Sequence, residues 1–201
     1  RRVWCVNAGH ARPKIVEAIA KQAAELDYAP AFQMGHPKAF ELANRLVDLA
    51  PEGLDHVLFT NSGSESVETA LKVALAYHRV KGEGSRFRLI GRERGYHGCS
   101  VVSGSMTGMS FYHDHMDLPR AGIVHTGAPH HYWGAEAGET ELEFSRRRAE
   151  ELDALILREG PDTIGAFIAE PVLGTGGITP PPEGYWPAIQ EVLKKYDVLL
   201  I

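Results

Sequence analysis

The chain has 201 residues, 44% hydrophobic, 23% charged and 8% aromatic, an ordinary globular balance that excludes disordered, collagen-like and coiled-coil chains. Its 21 Lys+Arg against 26 Asp+Glu leave a net charge of −5, and the lack of a basic face argues against nucleic acid as the main partner. No stretch approaches the roughly 18 apolar residues of a membrane span. Two cysteines, Cys5 and Cys99, are too few for a disulfide framework, so a reduced, cytoplasmic setting with no membrane partner is expected.

The chain opens Arg1-Arg2-Val3-Trp4-Cys5-Val6 without a methionine. Pro13 stands where a first-turn proline belongs, and Ile15, Ile19, Ala23 and Leu26 follow at helical spacing. Residues 28–35 form a loop carrying Pro30 and Phe32. Pro37 starts a second helix with Phe40, Ala43 and Val47 on one face. Val57-Leu58-Phe59-Thr60 is expected as a short buried strand that runs into Asn61-Ser62-Gly63-Ser64-Glu65. A third helix follows, with Val67, Leu71, Leu75 and His78 on one side. Ser62 and Glu65 fit the S-x-x-E capping box at its start.

Arg88-Leu89-Ile90-Gly91 is the next strand, then the loop Gly95-Tyr96-His97-Gly98 and a small-residue helix or loop to Met109. Residues 110–140 show no clear period and are expected to be a long irregular excursion. Helix returns over 145–158, strand over 164–169, a Gly/Pro loop over 174–184, helix over 186–195 and strand over 198–201. This alternation predicts an α/β fold with a mostly parallel sheet. The last run, Tyr196-Asp197-Val198-Leu199-Leu200-Ile201, enters a buried sheet without an exit loop. A piece of a longer protein, cut at both ends, is therefore expected.

Ligands of open α/β sheets bind beyond the carboxyl ends of the strands, and three loops there carry unusual residues. Ser62, Gly63 and Ser64 open a helix whose free N–H groups and dipole suit a phosphate; the alternative is plain N-capping by Ser62. Tyr96, with His97 between Gly95 and Gly98, could offer an aromatic face to a planar ring, or pack under its own loop. Glu170 closes the strand Ile164-Gly165-Ala166-Phe167-Ile168-Ala169, where a carboxylate is costly unless paired. Gly174-Thr175-Gly176-Gly177 is not the G-x-G-x-x-G of dinucleotide folds.

His113-Asp114-His115 and His130-His131 lack the spacing of a zinc helix, so no metal is expected. Nothing marks Cys99 as an activated thiol. The run Arg146-Arg147-Arg148, followed by Glu150 and Glu151, reads as a solvated helix face.

Three blocks in this order and spacing resemble the class III aminotransferases of the fold type I pyridoxal-phosphate enzymes. They are Phe59-Thr60-Asn61-Ser62-Gly63-Ser64-Glu65-Ser66-Val67-Glu68-Thr69-Ala70-Leu71-Lys72, Arg94-Gly95-Tyr96-His97-Gly98, and Ala169-Glu170-Pro171-Val172 with Gly176-Gly177. The resemblance covers essentially the whole chain. The segment from Val3 to His10, the loop at 28–32 and Tyr185-Trp186-Pro187 look most like the ω-amino acid or amine:pyruvate branch. It implies a truncated fold type I α/β domain, its mostly parallel sheet covered by helices on both faces. Residues 1–36 would be an N-terminal segment of the small domain and its connection. Residues 37–201 would be the first part of the large cofactor domain.

Carried over residue by residue, the resemblance implies that Ser62, Gly63 and Ser64 hold the phosphate of pyridoxal 5'-phosphate. Tyr96 would stack on the ring with His97 beside it, and Glu170 would sit on the ring-hydroxyl side. Trp4 would wall the substrate pocket, and Phe32 would border the partner subunit's site in a homodimer. The aspartate that pairs with the pyridine nitrogen and the Schiff-base lysine would lie beyond Ile201, and Lys72, Lys81, Lys194 and Lys195 do not match the lysine's position. The implied activity moves an amino group from an ω-amino acid or amine donor to pyruvate or a similar keto-acid acceptor. Aminomutase or decarboxylase chemistry on the same fold, and a non-catalytic ligand-binding pseudoenzyme, are the alternatives.

Overall fold

The computed structural model describes residues 5–201, which form two compact units that divide between Phe59 and Thr60.

The first unit contains α1 (Pro13–Glu25) and α2 (Pro37–Leu49), each beginning on the proline whose missing N–H costs a first turn nothing. His36 caps α2 by accepting the Lys38 N–H at Nδ1, 3.1 Å. Neither helix has a buried residue. Ile19 is 64% exposed and Phe40 61%, so the apolar stripes that predicted inward faces are uncovered among the described residues. Residues 57–60, expected as a buried strand, are not in one, and Leu58 is 70% exposed. β-propensity makes a strand only where a partner fills its hydrogen bonds.

In the second unit, α3 (Gly63–Val80) precedes a four-stranded sheet of β1 (Arg88–Arg92), β2 (Ile123–Thr126), β3 (Ile164–Phe167) and β4 (Leu199–Leu200). The order is β2-β1-β3-β4 and every pairing is parallel, with Leu89 opposite Ile123 and Ala166 opposite Leu199. Between the strands lie α4 (Val101–Met106), α5 (His131–Gly134), α6 (Glu141–Glu159) and α7 (Tyr185–Lys195). β2 and α5 fall inside the excursion expected to be irregular. Four residues that include His125 and Thr126 are too short and too polar to announce a strand, and β2 exists because β1 supplies its ladder. α6 begins before the expected 145, because Thr140 accepts the Glu143 N–H at 3.3 Å and Glu143 accepts the Thr140 N–H at 2.9 Å.

Both sheet faces are covered. On one, Ile90, Ile164 and Phe167 pack with Leu152, Leu155 and Ile156 of α6 and Ile189 and Leu193 of α7. On the other, Leu89, Ala166 and Ile168 pack with Leu71 and Ala74 of α3 and Met106 of α4. Ile164 and Ala166 face opposite sides because the β1–β3 register shifts there, a bulge at Gly165 that reverses the two-residue alternation. A Cβ at Gly165 would lie 2.8 Å from the Arg86 carbonyl oxygen, while the buried His78 on α3 bonds the Gly165 carbonyl at 2.8 Å. Parallel pairing sends every strand out at the same edge, where the loops after β1 and β3 lie; the Ser62–Ser64 turn follows no strand and reaches the loop after β1 through the Ser64–Cys99 bond. Among the described residues no helix is long and apolar enough to cross a membrane.

Candidate active site

The first turn of α3 is one wall of the site. Ser62 caps the helix by accepting the Glu65 N–H at 3.2 Å, and Glu65 reaches back to the N–H of Asn61 at 2.9 Å. The acceptance by Ser62 follows the capping box, but the return bond lands one residue further out. Among the described residues the N–H groups of Gly63 and Ser64 meet no acceptor, as the geometry of a first turn dictates. Among the described residues, a Cβ on Gly63 would meet nothing within 4 Å. Ser64 Oγ accepts the Cys99 N–H at 3.0 Å, and a hydroxyl that accepts can still donate its proton. Two open N–H groups, a hydroxyl and the positive end of an 18-residue helix dipole suit a phosphate dianion.

The Cys99 bond ties this turn to the loop that follows β1. Tyr96 is half-buried there, its ring 5.5 Å from that of Tyr112 at 53°. Burial pushes its phenol above the ordinary value, with Cys99 and Tyr112 adding to the effect, so the hydroxyl stays protonated at neutral pH. The Tyr96 N–H is held by Glu170 Oε1 at 2.9 Å, and Glu170 Oε2 accepts the Gly174 N–H at 2.8 Å. One carboxylate thus joins the loop after β1 to the loop after β3. Behind it, the fully buried Arg92 donates to the Glu170 carbonyl and lies 5.2 Å from the Trp186 ring and 5.7 Å from the Tyr185 ring. The loop after Glu170 is fixed by Arg94, whose Nε and Nη2 donate to the Gly176 carbonyl at 3.0 and 2.8 Å.

His97 is 7% exposed; its N–H donates to Thr107 Oγ1 at 3.0 Å and its Nε2 has no partner among the described residues. Burial, followed by the charges of Arg92 and His125, lowers its pKa from 6.5 to about 4, so the ring is neutral near neutral pH. The folded state resists a proton that the unfolded state takes up below its ordinary value. This contribution to stability is whole above pH 6.5 and is lost as pH falls through about 4, roughly 3 kcal/mol in all. Urea unfolding at pH 7, 5.5 and 4 is expected to show that loss, and a His97→Phe variant to show a shallower one. Equal slopes for the two proteins would remove His97 as the cause.

The structure therefore brings Ser62, Gly63, Ser64, Tyr96, His97 and Glu170 to one edge of the sheet, linked through the Cys99 and Tyr96 amides. Trp4 lies outside the described residues. Phe32 belongs to the first unit, in a loop without regular structure, with its side chain 80% exposed. Three of the four histidines that could suggest metal are bound to the backbone: His113 to the Gly104 carbonyl at 3.0 Å and His131 to the Glu139 carbonyl at 2.9 Å. His130 accepts the Trp133 N–H at 3.3 Å.

Three residues at this edge were not singled out in the sequence: Arg92, Tyr112 and Glu68. Arg92 carries a signal, an arginine ending the otherwise apolar strand Leu89-Ile90-Gly91. Tyr112, in an irregular segment, and Glu68, on an ordinary helix face, carry none.

The whole chain, residues 1–201, matches the family model described as aminotransferase class-III. An uncharacterized aminotransferase of Sinorhizobium fredii is 59% identical over 99% of the chain and 43% of its own length. The diaminobutyrate–2-oxoglutarate transaminase of Halomonas elongata is 49% identical, with the same coverage of each. Among solved structures, the omega transaminase of Pseudomonas jessenii in complex with PMP superposes with a TM-score of 0.91. It is 41% identical, over 94% of this chain and 42% of that one. The chain thus spans under half the length of these relatives, and its parallel sheet with helices on both faces is part of the fold type I transaminase domain. With a family match over every residue and that superposition, this chain belongs to the class-III aminotransferases.

Proposed function

We propose that the protein carrying this chain is a pyridoxal-phosphate-dependent transaminase that moves an amino group from an ω-amino acid or amine to pyruvate or a similar keto acid. The observation that carries this reading is the joined edge itself. The open first turn of α3 is bonded through Ser64 to the Tyr96 loop, and that loop is bonded through Glu170 to the loop after β3.

In this reading the N–H groups of Gly63 and Ser64 and the Ser64 hydroxyl hold the phosphate at the helix N-terminus, where Ser62 caps the turn. Tyr96 covers one face of the ring. His97 stays neutral beside it and adds no charge. Glu170 holds the two loops that frame the ring. Bound there, pyridoxal phosphate supplies an electron sink for the carbon that loses or gains a proton. Lys81 and Lys195 are ion-paired with Asp197 at 3.2 Å and Asp153 at 2.6 Å. The Schiff-base role is given to a lysine of the longer protein. Trp4 and Phe32 are assigned to substrate contacts, Phe32 across a homodimer, and residues 37–201 to the first part of the large cofactor domain.

The test mixes the full-length protein with pyridoxal phosphate, reduces it with borohydride and maps the labelled lysine by mass spectrometry. A lysine adduct outside residues 1–201 is expected, and no adduct would point to a ligand-binding protein without the chemistry. A donor panel with pyruvate or 2-oxoglutarate as acceptor then checks the finer assignment. Turnover of primary amines and ω-amino acids with pyruvate is expected. Activity confined to α-amino acids would overturn the ω-amino acid or amine assignment, and activity confined to 2-oxoglutarate would fix the acceptor as that keto acid rather than pyruvate.

A further inference from the structure

The carboxylate of Glu68 is half-buried on α3, one turn after Ser64, so the two side chains share a helix face. A single oxygen, Oε1, accepts the Val102 N–H at 3.1 Å, the Ser103 N–H at 3.1 Å and the Ser100 hydroxyl at 2.6 Å. Val102 and Ser103 lie in the first turn of α4, whose amides have no partner within their own helix. Ser64, on the same face, takes the Cys99 N–H at 3.0 Å. Two side chains of α3 therefore hold the segment 99–103 through three backbone amides and the Ser100 hydroxyl.

That segment is the far anchor of the Tyr96 loop. Between them, Gly98 leaves no room for movement. With φ +137°, a Cβ there would strike Ser103 Oγ and lie 2.5 Å from Ser64 Oγ, one atom from each end of the staple. Thr107 Oγ1, at the end of α4, accepts the His97 N–H at 3.0 Å and donates to the Ser103 carbonyl at 3.1 Å. The near anchor of Tyr96 is Glu170. The far one runs through Glu68, because its oxygen is the acceptor shared by two first-turn amides of α4 and by the hydroxyl of the N-cap Ser100, which also bonds Ser103 Oγ at 2.6 Å.

We propose that Glu68 is a positioning residue that fixes the Tyr96 loop against the helix whose first turn receives the cofactor phosphate, an inference that rests on the functional reading above. Its carboxylate touches no reacting atom. It sets the distance between two parts of one ligand site: the N–H groups that take the phosphate and the aromatic face that takes the ring. Loosening it costs binding of a ligand that spans both parts and leaves a ligand of the first part alone unaffected.

All three donors converge on one oxygen, so the shape of the side chain matters more than its charge. A glutamine keeps a carbonyl oxygen at that place; a leucine keeps the volume and removes the acceptor. In the full-length protein, Glu68→Leu is expected to bind pyridoxal phosphate about tenfold or more weakly, the loss of hydrogen bonds to a charged acceptor. The amides of Val102 and Ser103 are expected to exchange hydrogen about tenfold faster. Inorganic phosphate, followed by phosphorus NMR, is expected to bind wild type and Leu variant alike. Glu68→Gln is expected to match wild type within about threefold in all three measurements. If the Leu variant does not accumulate folded, Glu68→Asp takes its place, with the oxygen withdrawn by one methylene and the same directions expected.

The proposal fails if the Leu variant (or Asp) binds the cofactor as wild type does. It also fails if Gln is as weak as Leu, or if phosphate and cofactor affinity fall together. A wild-type protein that takes up no pyridoxal phosphate overturns the functional reading and this proposal with it. Normal uptake by wild type together with an unaffected Leu variant overturns this proposal alone.

Discussion

Glu170→Ala is expected to weaken pyridoxal phosphate binding by about a hundredfold or more, the largest effect of any single side chain at this edge. The two carboxylate oxygens have separate duties, Oε1 on the Tyr96 N–H and Oε2 on the Gly174 N–H. A hydrogen bond to a charged acceptor is worth about 1.5–3 kcal/mol, and each tenfold in affinity about 1.4 kcal/mol, so two bonds reach that scale. The variant also frees both loops from each other, leaving Arg92 bonded to a carbonyl that no longer has a fixed place. Glutamine is not a rescue here. Its amide carries one acceptor and one donor group, and the donor must face an N–H. Glu170→Gln is therefore expected to lose most of what Ala loses, the opposite of the outcome at Glu68, where one oxygen takes all three donors. Titration of each apoprotein with pyridoxal phosphate decides it, and a Gln variant within threefold of wild type would show that two-sided acceptance is not what Glu170 provides.

Gly98→Ala is expected to destabilise the fold by roughly 2–5 kcal/mol as well as weaken the site, since two costs add there. At φ +137° an L-residue is strained by about 1–3 kcal/mol before any contact is counted. The new methyl then has to displace the Ser103 and Ser64 hydroxyls, which together with Glu68 order the segment behind Tyr96. Denaturant unfolding measures the first cost, and cofactor titration the second. Gly63→Ala is the control: a Cβ there meets nothing within 4 Å, so it is expected to leave stability within about 0.5 kcal/mol. Equal destabilisation by the two alanines would discard the steric account of Gly98.

Much of the site could be read from residue order. Ser62 to Glu65 announced the start of α3, since a cap is a bond between residues three apart and leaves its signature in a four-residue window. Glu170 at the end of a buried strand invited a partner, because an unpaired carboxylate there is costly. What that partner would be was not legible. The Tyr96 N–H stands 74 residues away in sequence, and a backbone amide has no residue-type signature. Glu68 was invisible for the same reason: the donors to its one oxygen lie 32 to 35 residues on, and its place on α3 looks like any exposed glutamate position. The strand expected at 57–60 errs in the other direction. Its apolar run is a preference for burial, and preference does not supply a neighbour.

By itself the sequence determined what acts over one helical turn or one strand. It set the helices that begin at Pro13, Pro37 and Gly63, the α/β alternation, and the three blocks that identify the family. Periodicity and capping depend on residues at most four apart, so they survive in a linear text. Only the tertiary structure decided the order β2-β1-β3-β4, the bulge that turns Ile164 and Ala166 to opposite faces, the burial that holds His97 neutral, and the convergence on Glu68 and Glu170. Each of these is a property of distance through space, and desolvation and hydrogen bonding respond to that distance whatever the separation along the chain.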